Sequence, residues 1–244
     1  SSPTFRNCVI VGNTVTGAHG GDGAQGITPA PGGNWSYLPP GETNVQTTGE
    51  NQWGGNGGTG TGAGYGGGLA CRGGSRPVLI GCTFEGNQAT GGVGGDAGDA
   101  GGDRHTTQAS GGNGGTGRGD GRGGAIYADG ASAPIIRDCT FVNNVARTGA
   151  GGEPGLMGRG SDLAAPRGPA RNGTEGSSAS TGNVAGGAFY YAMGSVVDCV
   201  DFEFSGNASF IYSTGFTTYT TGGALYAQIG ANVNFTDCRF VDHL

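Results

Sequence analysis

Three carboxylates and four thiols recur at fixed places in this chain, and chemistry would be sought there first. Asp138, Asp201 and Asp237 hold one position of a repeated segment. On strands stacked ~4.8 Å apart, like charges could raise one pKa and make an acid/base pair of the kind that cleaves glycosidic bonds. The same position holds Asn7 and Gly81. Asn, Asp and Gly share a preference for turns, and no column of Arg or Lys accompanies the aspartates to grip an acidic sugar. The turn reading is preferred, and no catalytic residue is expected.

Cys8, Cys82, Cys139 and Cys238 hold the next position, with Phe202 in place of Cys in the fourth copy. The six cysteines show no metal spacing such as C-x-x-C. Stacked strands would suit the Cα separation of a disulfide, but parallel side chains would exceed its usual Cβ separation of ~3.8 Å. A ladder of buried thiols is expected, and no redox compartment follows from it. His19, His105 and His243 are scattered, and no metal or cofactor is expected. The run Gly94–Asp99 is similar to calcium-binding Gly-Asp repeats but lacks their nonapeptide period. Arg118-Gly119-Asp120 spells the integrin tripeptide, read here as chance within a Gly-rich tract.

The element that positions these residues is a repeat. Gly123-Gly124-Ala125-Ile126 leads to Cys139-Thr140-Phe141-Val142-Asn143-Asn144. Related copies run from Gly67, Gly186 and Gly222, and Pro3 to Asn13 keeps the second half alone. In the four fuller copies the second Gly stands 15 residues before the Cys or Phe position. Three residues before that position come Phe5, Leu79, Ile136, Cys199 and Phe235; two after it come Ile10, Phe84, Phe141, Phe204 and Phe240. Such short alternating apolar runs read as strands, and no stretch holds a helical period. One copy cannot bury its apolar positions alone, so stacking must supply the core. Asn13, Asn87, Asn144 and Asn207 recur five residues after the Cys position. Their amides are expected to bond to one another up the stack as a structural ladder.

The pairing of G-G-A-[ILVF] with F-x-x-N resembles the repeat of chlamydial polymorphic outer-membrane proteins and related bacterial right-handed parallel β-helix proteins. The resemblance rests on Gly123–Ile126, Gly186–Phe189 and Gly222–Leu225, with Phe84–Asn87, Phe141–Asn144 and Phe204–Asn207. It departs at Ile10, Gly68 and His243, and it covers a little under half of the chain. It implies an all-β, right-handed parallel β-helix of about five short coils, at a cell surface or outside the cell, with no catalytic residues.

Between the coils lie insertions at one equivalent point: 16–66, 90–123, 147–186 and 210–222, within a single domain 1–244. The first three carry Gly every third residue, as in Gly17, Gly20, Gly23 and Gly26, or Gly92, Gly95, Gly98 and Gly101, or Gly149, Gly152, Gly155 and Gly158. A period of three is that of polyproline II. One side-chain-free edge would let backbones pair, which answers where their polar groups go. Three out-and-back hairpins are expected along one edge, similar to the Gly-rich polyproline II bundle of snow-flea antifreeze protein. The fourth insertion, aromatic and Thr-rich, reads as a short strand.

With 244 residues, 59 of them Gly, 12% charged residues and a net charge of −6, the chain is neither a charge-rich disordered type nor suited to nucleic acid. No apolar run approaches the ~20 residues of a membrane helix. Residue 1 stands inside a repeat and no signal peptide is visible, so a processed chain or an excised segment is expected. Both ends stand mid-coil without a cap, which suggests self-association head to tail into an extracellular filament or sheath. The alternatives are a cell-surface adhesin or glycan-binding passenger, and a carbohydrate-active β-helix enzyme. Trp35, Tyr37 and Trp53, in or near the longest insertion tip, are the expected ligand surface of the second. Asn34 and Asn172 are sequons in tips that could carry glycan; Asn207 belongs to the ladder and should not. Ice binding ranks last, because a regular Thr-x-Thr array is lacking.

Overall fold

The computed structural model describes residues 2–23, 25, 56–99, 112–156, 184–210 and 220–243. These residues hold 22 strands and no helix. The strands are two to five residues long, because a turn residue interrupts the chain at regular intervals.

All strand pairing is parallel, in five sheets. Thr4–Arg6, Val78–Ile80, Ile135–Arg137, Val196–Val200 and Asn232–Thr236 form the first. Leu69–Cys71, Ile126–Ala128, Phe189–Tyr191 and Leu225–Ala227 form the second. Val9–Val11, Thr83–Glu85, Thr140–Val142, Glu203–Ser205 and Arg239–Val241 form the third. Thr14–Thr16, Gln88–Thr90, Val145–Arg147 and Ala208–Phe210 form the fourth. The fifth sheet, Gly64–Tyr65, Gly121–Arg122, Val184–Ala185 and Thr220–Thr221, takes the last residues of each insertion, which the repeat alone had assigned to the excursions. Each strand pairs only with its counterpart one repeat away.

Register turns the sequence periodicity into columns. Phe5, Leu79, Ile136, Cys199 and Phe235 stand opposite one another along the first sheet. Ile10, Phe84, Phe141, Phe204 and Phe240 do so along the third. The rings of Phe84, Phe141, Phe204 and Phe240 stack at 5.0, 5.3 and 4.7 Å between centroids. Leu79, Phe84, Ile126, Ile136, Phe141, Phe189 and Phe204 are fully buried in one core cluster. Each such side chain contributes about 1.5–3 kcal/mol by leaving water, and each ring pair about 0.5–1.5 kcal/mol more.

The Gly-rich tracts are bonded to one another. Gly17, Gly20 and Gly23 donate to the carbonyls of Thr90, Val93 and Asp96 at 2.7–2.9 Å; Gly91, Gly94 and Ala97 donate to Arg147, Ala150 and Glu153 at 2.9–3.0 Å. These bonds join 17–23, 91–98 and 149–156 in one row. Gly57, Gly60 and Gly64 donate to Asn113, Thr116 and Asp120 and make a second row. Bonds between the rows, such as Gly95 to Gly58 and Gly115 to Gly95, join the two.

The inner tract differs from the expectation of one bare edge. A Cβ on Gly91 or Gly94 would collide with the carbonyl of Gly119 or Gly115, and one on Gly92 or Gly95 with that of Ala18 or Gly21. A tract with neighbours on two sides therefore needs Gly at two of every three places. The Gly-Gly-x phrasing of Gly91–Asp96 records this.

Candidate functional site

Asn13, Asn87, Asn144 and Asn207 form a continuous hydrogen-bonded column. Each of the first three donates Nδ2 to the Oδ1 of the next at 2.9 Å. Each also donates its backbone N–H to the same oxygen at 3.0–3.1 Å. The second Nδ2 proton of Asn87, Asn144 and Asn207 goes to the carbonyls of Ile10, Phe84 and Phe141 in the preceding repeat. Asn87 and Asn144 thus use both amide protons and accept two bonds while fully buried, so neither is available to a ligand. Asn207, also fully buried, has no room for a glycan.

The cysteines are all free thiols. Cys82 and Cys139 are buried and directly bonded, the Cys82 N–H donating to Cys139 Sγ at 3.3 Å. Cys8 and Cys238 are partly exposed. In all four the thiol donates to the carbonyl two residues back, those of Arg6, Ile80, Arg137 and Thr236. Burial pushes the Cys139 thiol up to about 12, Cys199 to about 12 and Cys71 to about 11. Thiols held so far from ionisation are poor nucleophiles.

Asn7, Asp138, Asp201 and Asp237 have φ of 50°, 51°, 55° and 54°, and Gly81 has 62°. The column is a left-handed corner between the first and third sheets, and the three aspartates are exposed there. Asn and Asp tolerate that conformation better than other side-chain-bearing residues. Asp96 and Asp99 spend a carboxylate oxygen on the N–H groups of Glu153 and Leu156. Among the described residues no three His, Cys, Asp or Glu side chains gather as metal ligands. Gly119 is wedged against the Gly62 carbonyl and Asp120 is paired with Arg122, so the Arg118-Gly119-Asp120 tripeptide lies within the bonded tracts. Asn34, Trp35, Tyr37, Trp53 and Asn172 lie outside the described residues.

The structure also assembles a cluster that the sequence reading did not single out. Tyr127, Tyr190 and Tyr226 share one register on the second sheet. Their neighbours Ile126, Ala128, Phe189 and Tyr191 are buried inside, so alternation sets these tyrosines on the other side of the sheet, where Tyr127 and Tyr226 are half-buried and Tyr190 is covered, with 4% of its surface exposed. The rings stack at 5.5 and 5.2 Å. Ala70 stands at this register one repeat earlier, and Tyr65 from the fifth sheet brings its ring 4.7 Å from Tyr127. The Arg72 guanidinium lies 5.0 Å from the Tyr65 centroid, and that of Arg122 5.0 Å from Tyr190. Arg122 Nη1 donates to Tyr190 Oη at 3.2 Å and Nη2 to Asp120 at 2.7 Å. Burial pushes the Tyr127 and Tyr190 hydroxyls up, so both stay protonated. The signal for three of the tyrosines was available: each stands three residues after the second Gly of its repeat. Tyr65 and the arginines could not be found that way, because they come from other strands and turns.

Compared with known proteins, the chain matches no family model, no curated protein and no solved structure. Among the described residues no helix is long and apolar enough to cross a membrane.

Proposed function

We propose that this chain is a non-catalytic extracellular structural protein, a right-handed parallel β-helix of about five short coils that assembles head to tail into a filament or sheath. Right-handed crossover is the rule for parallel strands. The period of three in the tract hydrogen bonds supports polyproline II hairpins packed along one edge. The observation that carries the reading is the asparagine column. Its bonds repeat in the same form over the three steps from Asn13 to Asn207, which supports stacking of repeat on repeat as the mode of growth. His243 holds the place in the last repeat, so a joint between copies would bring His243 against Asn13.

Electron microscopy of the purified chain across a concentration series tests this. Filaments with an axial period of ~24 Å, five strand spacings, are expected. Rods that stay single at every concentration would overturn it. The adhesin or glycan-binding reading is the second, and the tyrosine and arginine cluster favours it. The enzyme reading would need a measurable carbohydrate-degrading activity that Asp201→Asn abolishes; the exposed corner position of Asp201 argues against one.

A further inference from the structure

The asparagine column ends on a histidine. His243 stands five residues after Cys238, the place that Asn13, Asn87, Asn144 and Asn207 hold in the earlier repeats. At each interior rung the later Asn serves the earlier repeat twice. Its Oδ1 accepts the N–H and one Nδ2 proton of the earlier Asn. Its own Nδ2 donates to the earlier carbonyl, that of Ile10, Phe84 or Phe141. At the last rung these bonds stop. Among the described residues Asn207 accepts from Asn144, donates to the Phe141 carbonyl and makes no bond to the rung after it. Both ring nitrogens of His243 are buried without a partner. The ring stands edge-on to Phe240, 6.1 Å between centroids, and Phe240 is in register with Phe204.

The unused groups on the two rungs match in kind. Among the described residues the Asn207 N–H and one of its Nδ2 protons lack an acceptor, and no later side chain donates to the Phe204 carbonyl. A neutral imidazole carries one acceptor nitrogen and one N–H. Its Nδ1 is as many bonds from Cα as the Oδ1 of Asn, so it can take the Asn207 donors, and the ring N–H is left for the Phe204 carbonyl. An imidazolium carries two donors and no acceptor, which would set the Asn207 donors against another donor. Among the described residues no charge beside the rung offsets this. Glu203–Ser205 and Arg239–Val241 bring only Glu203 and Arg239, which lie 3.8 Å apart on the exposed side, and Ala208–Phe210 brings none. Asp242, on the ring's own turn, is exposed with φ of 52°.

We infer that neutral His243 closes the column as its last rung, and that protonation of the ring opens the last coil. The contribution is present with a neutral ring and is lost when acid charges it. Histidine is the side chain that changes charge between about pH 5 and about pH 8. The switch itself belongs to one copy of the chain. As a regulation of assembly it rests on the head-to-tail reading, because this coil carries the edge that a next copy would join. Acid also lowers the net negative charge of −6, which by itself favours association, so dispersal in acid would run against that trend.

The test is amide hydrogen exchange of the whole chain, kept dilute and unassembled, at about pH 8 and about pH 5, with rates corrected for the chemical effect of pH. Residues 232–243 are expected to exchange about tenfold faster in acid, while the interior strands within 78–90 and 135–147 keep their protection. His243→Asn supplies the usual rung and is expected to hold 232–243 protected at both pH values. That comparison separates this ring from His19, His105 and the carboxylates. Equal protection of 232–243 at the two pH values in the native chain, or the same loosening in His243→Asn, would overturn the proposal. Electron microscopy at the same two pH values separates it from the head-to-tail reading. Filaments that disperse in acid are expected; single rods at both values, with the exchange switch intact, would overturn the filament alone.

Discussion

The side chain of Asn144 donates to Oδ1 of Asn207 at 2.9 Å across 63 residues of chain. It also donates to the Phe84 carbonyl and accepts from Asn87, all in the interior. Replacing Asn144 with Ala leaves the Asn87 backbone N–H and one Asn87 Nδ2 proton buried without partners, and takes one of its donors from the Phe84 carbonyl. At 1–3 kcal/mol for each orphaned group, a loss of about 3 kcal/mol or more is expected. The adjacent Asn143 has φ of 52° and an exposed side chain, and Gly86 and Gly206 hold its place in neighbouring repeats. Asn143→Gly should therefore change stability by less than about 0.5 kcal/mol. Chemical denaturation of the two variants checks this, and equal losses would contradict the assignment of the column.

Two neighbouring glycines separate close approach from composition. A Cβ on Gly20 would collide with the Gly58 carbonyl, whereas one on Gly21 would meet nothing within 4 Å. Gly20→Ala should force 17–23 away from 56–63 and speed amide hydrogen exchange across both. Gly21→Ala should leave exchange unchanged or slow it, since Ala lowers the entropy of the unfolded chain.

Cys71, Cys139 and Cys199 make stability fall in alkali. Their ordinary value is 9.0, and burial raises them to about 11, 12 and 12. Below pH 9 the thiols are protonated whether folded or not, and the contribution is fully present. Between pH 9 and the folded values the unfolded chain releases protons that the folded chain keeps. Stability then falls by up to about 1.4 kcal/mol per pH unit for each thiol. Unfolding followed from pH 8 to pH 11 should show this slope, and Cys139→Ala should reduce it.

Among the described residues the Tyr191 hydroxyl is buried without a well-formed hydrogen bond, in contact only with the weakly bonding Cys199 thiol, and burial holds its pKa well above the ordinary value. Removing an unsatisfied buried polar atom while keeping the ring should stabilise the fold. Tyr191→Phe is expected to gain about 1 kcal/mol in denaturant unfolding. A loss of that size would mean the hydroxyl bonds to Cys199 after all.

Much of this architecture was legible in the chain itself. The constant spacing from Gly to Cys, the Phe and Asn positions and the period of three each depend on local pattern, and each became a column or a bonded tract. A side chain repeated at a fixed offset must meet its own copies once strands pair in register, so the Phe stack and the Asn bonds follow from the repeat. Which chemistry the aspartates would do was also readable, because Asn7 and Gly81 at the same position already pointed to a corner.

Other features needed the tertiary structure. The fifth sheet did, because two-residue strands such as Gly64–Tyr65 carry too little pattern to be seen. The two-sided crowding of Gly91–Gly95 did, because the number of neighbouring tracts is set by how the excursions pack. The tyrosine and arginine stripe did, because Tyr65 and Arg122 share one register of one sheet while Tyr127 and Tyr190 share another. Their meeting is fixed by the corner between the two sheets, a relation between distant strands that no local spacing encodes.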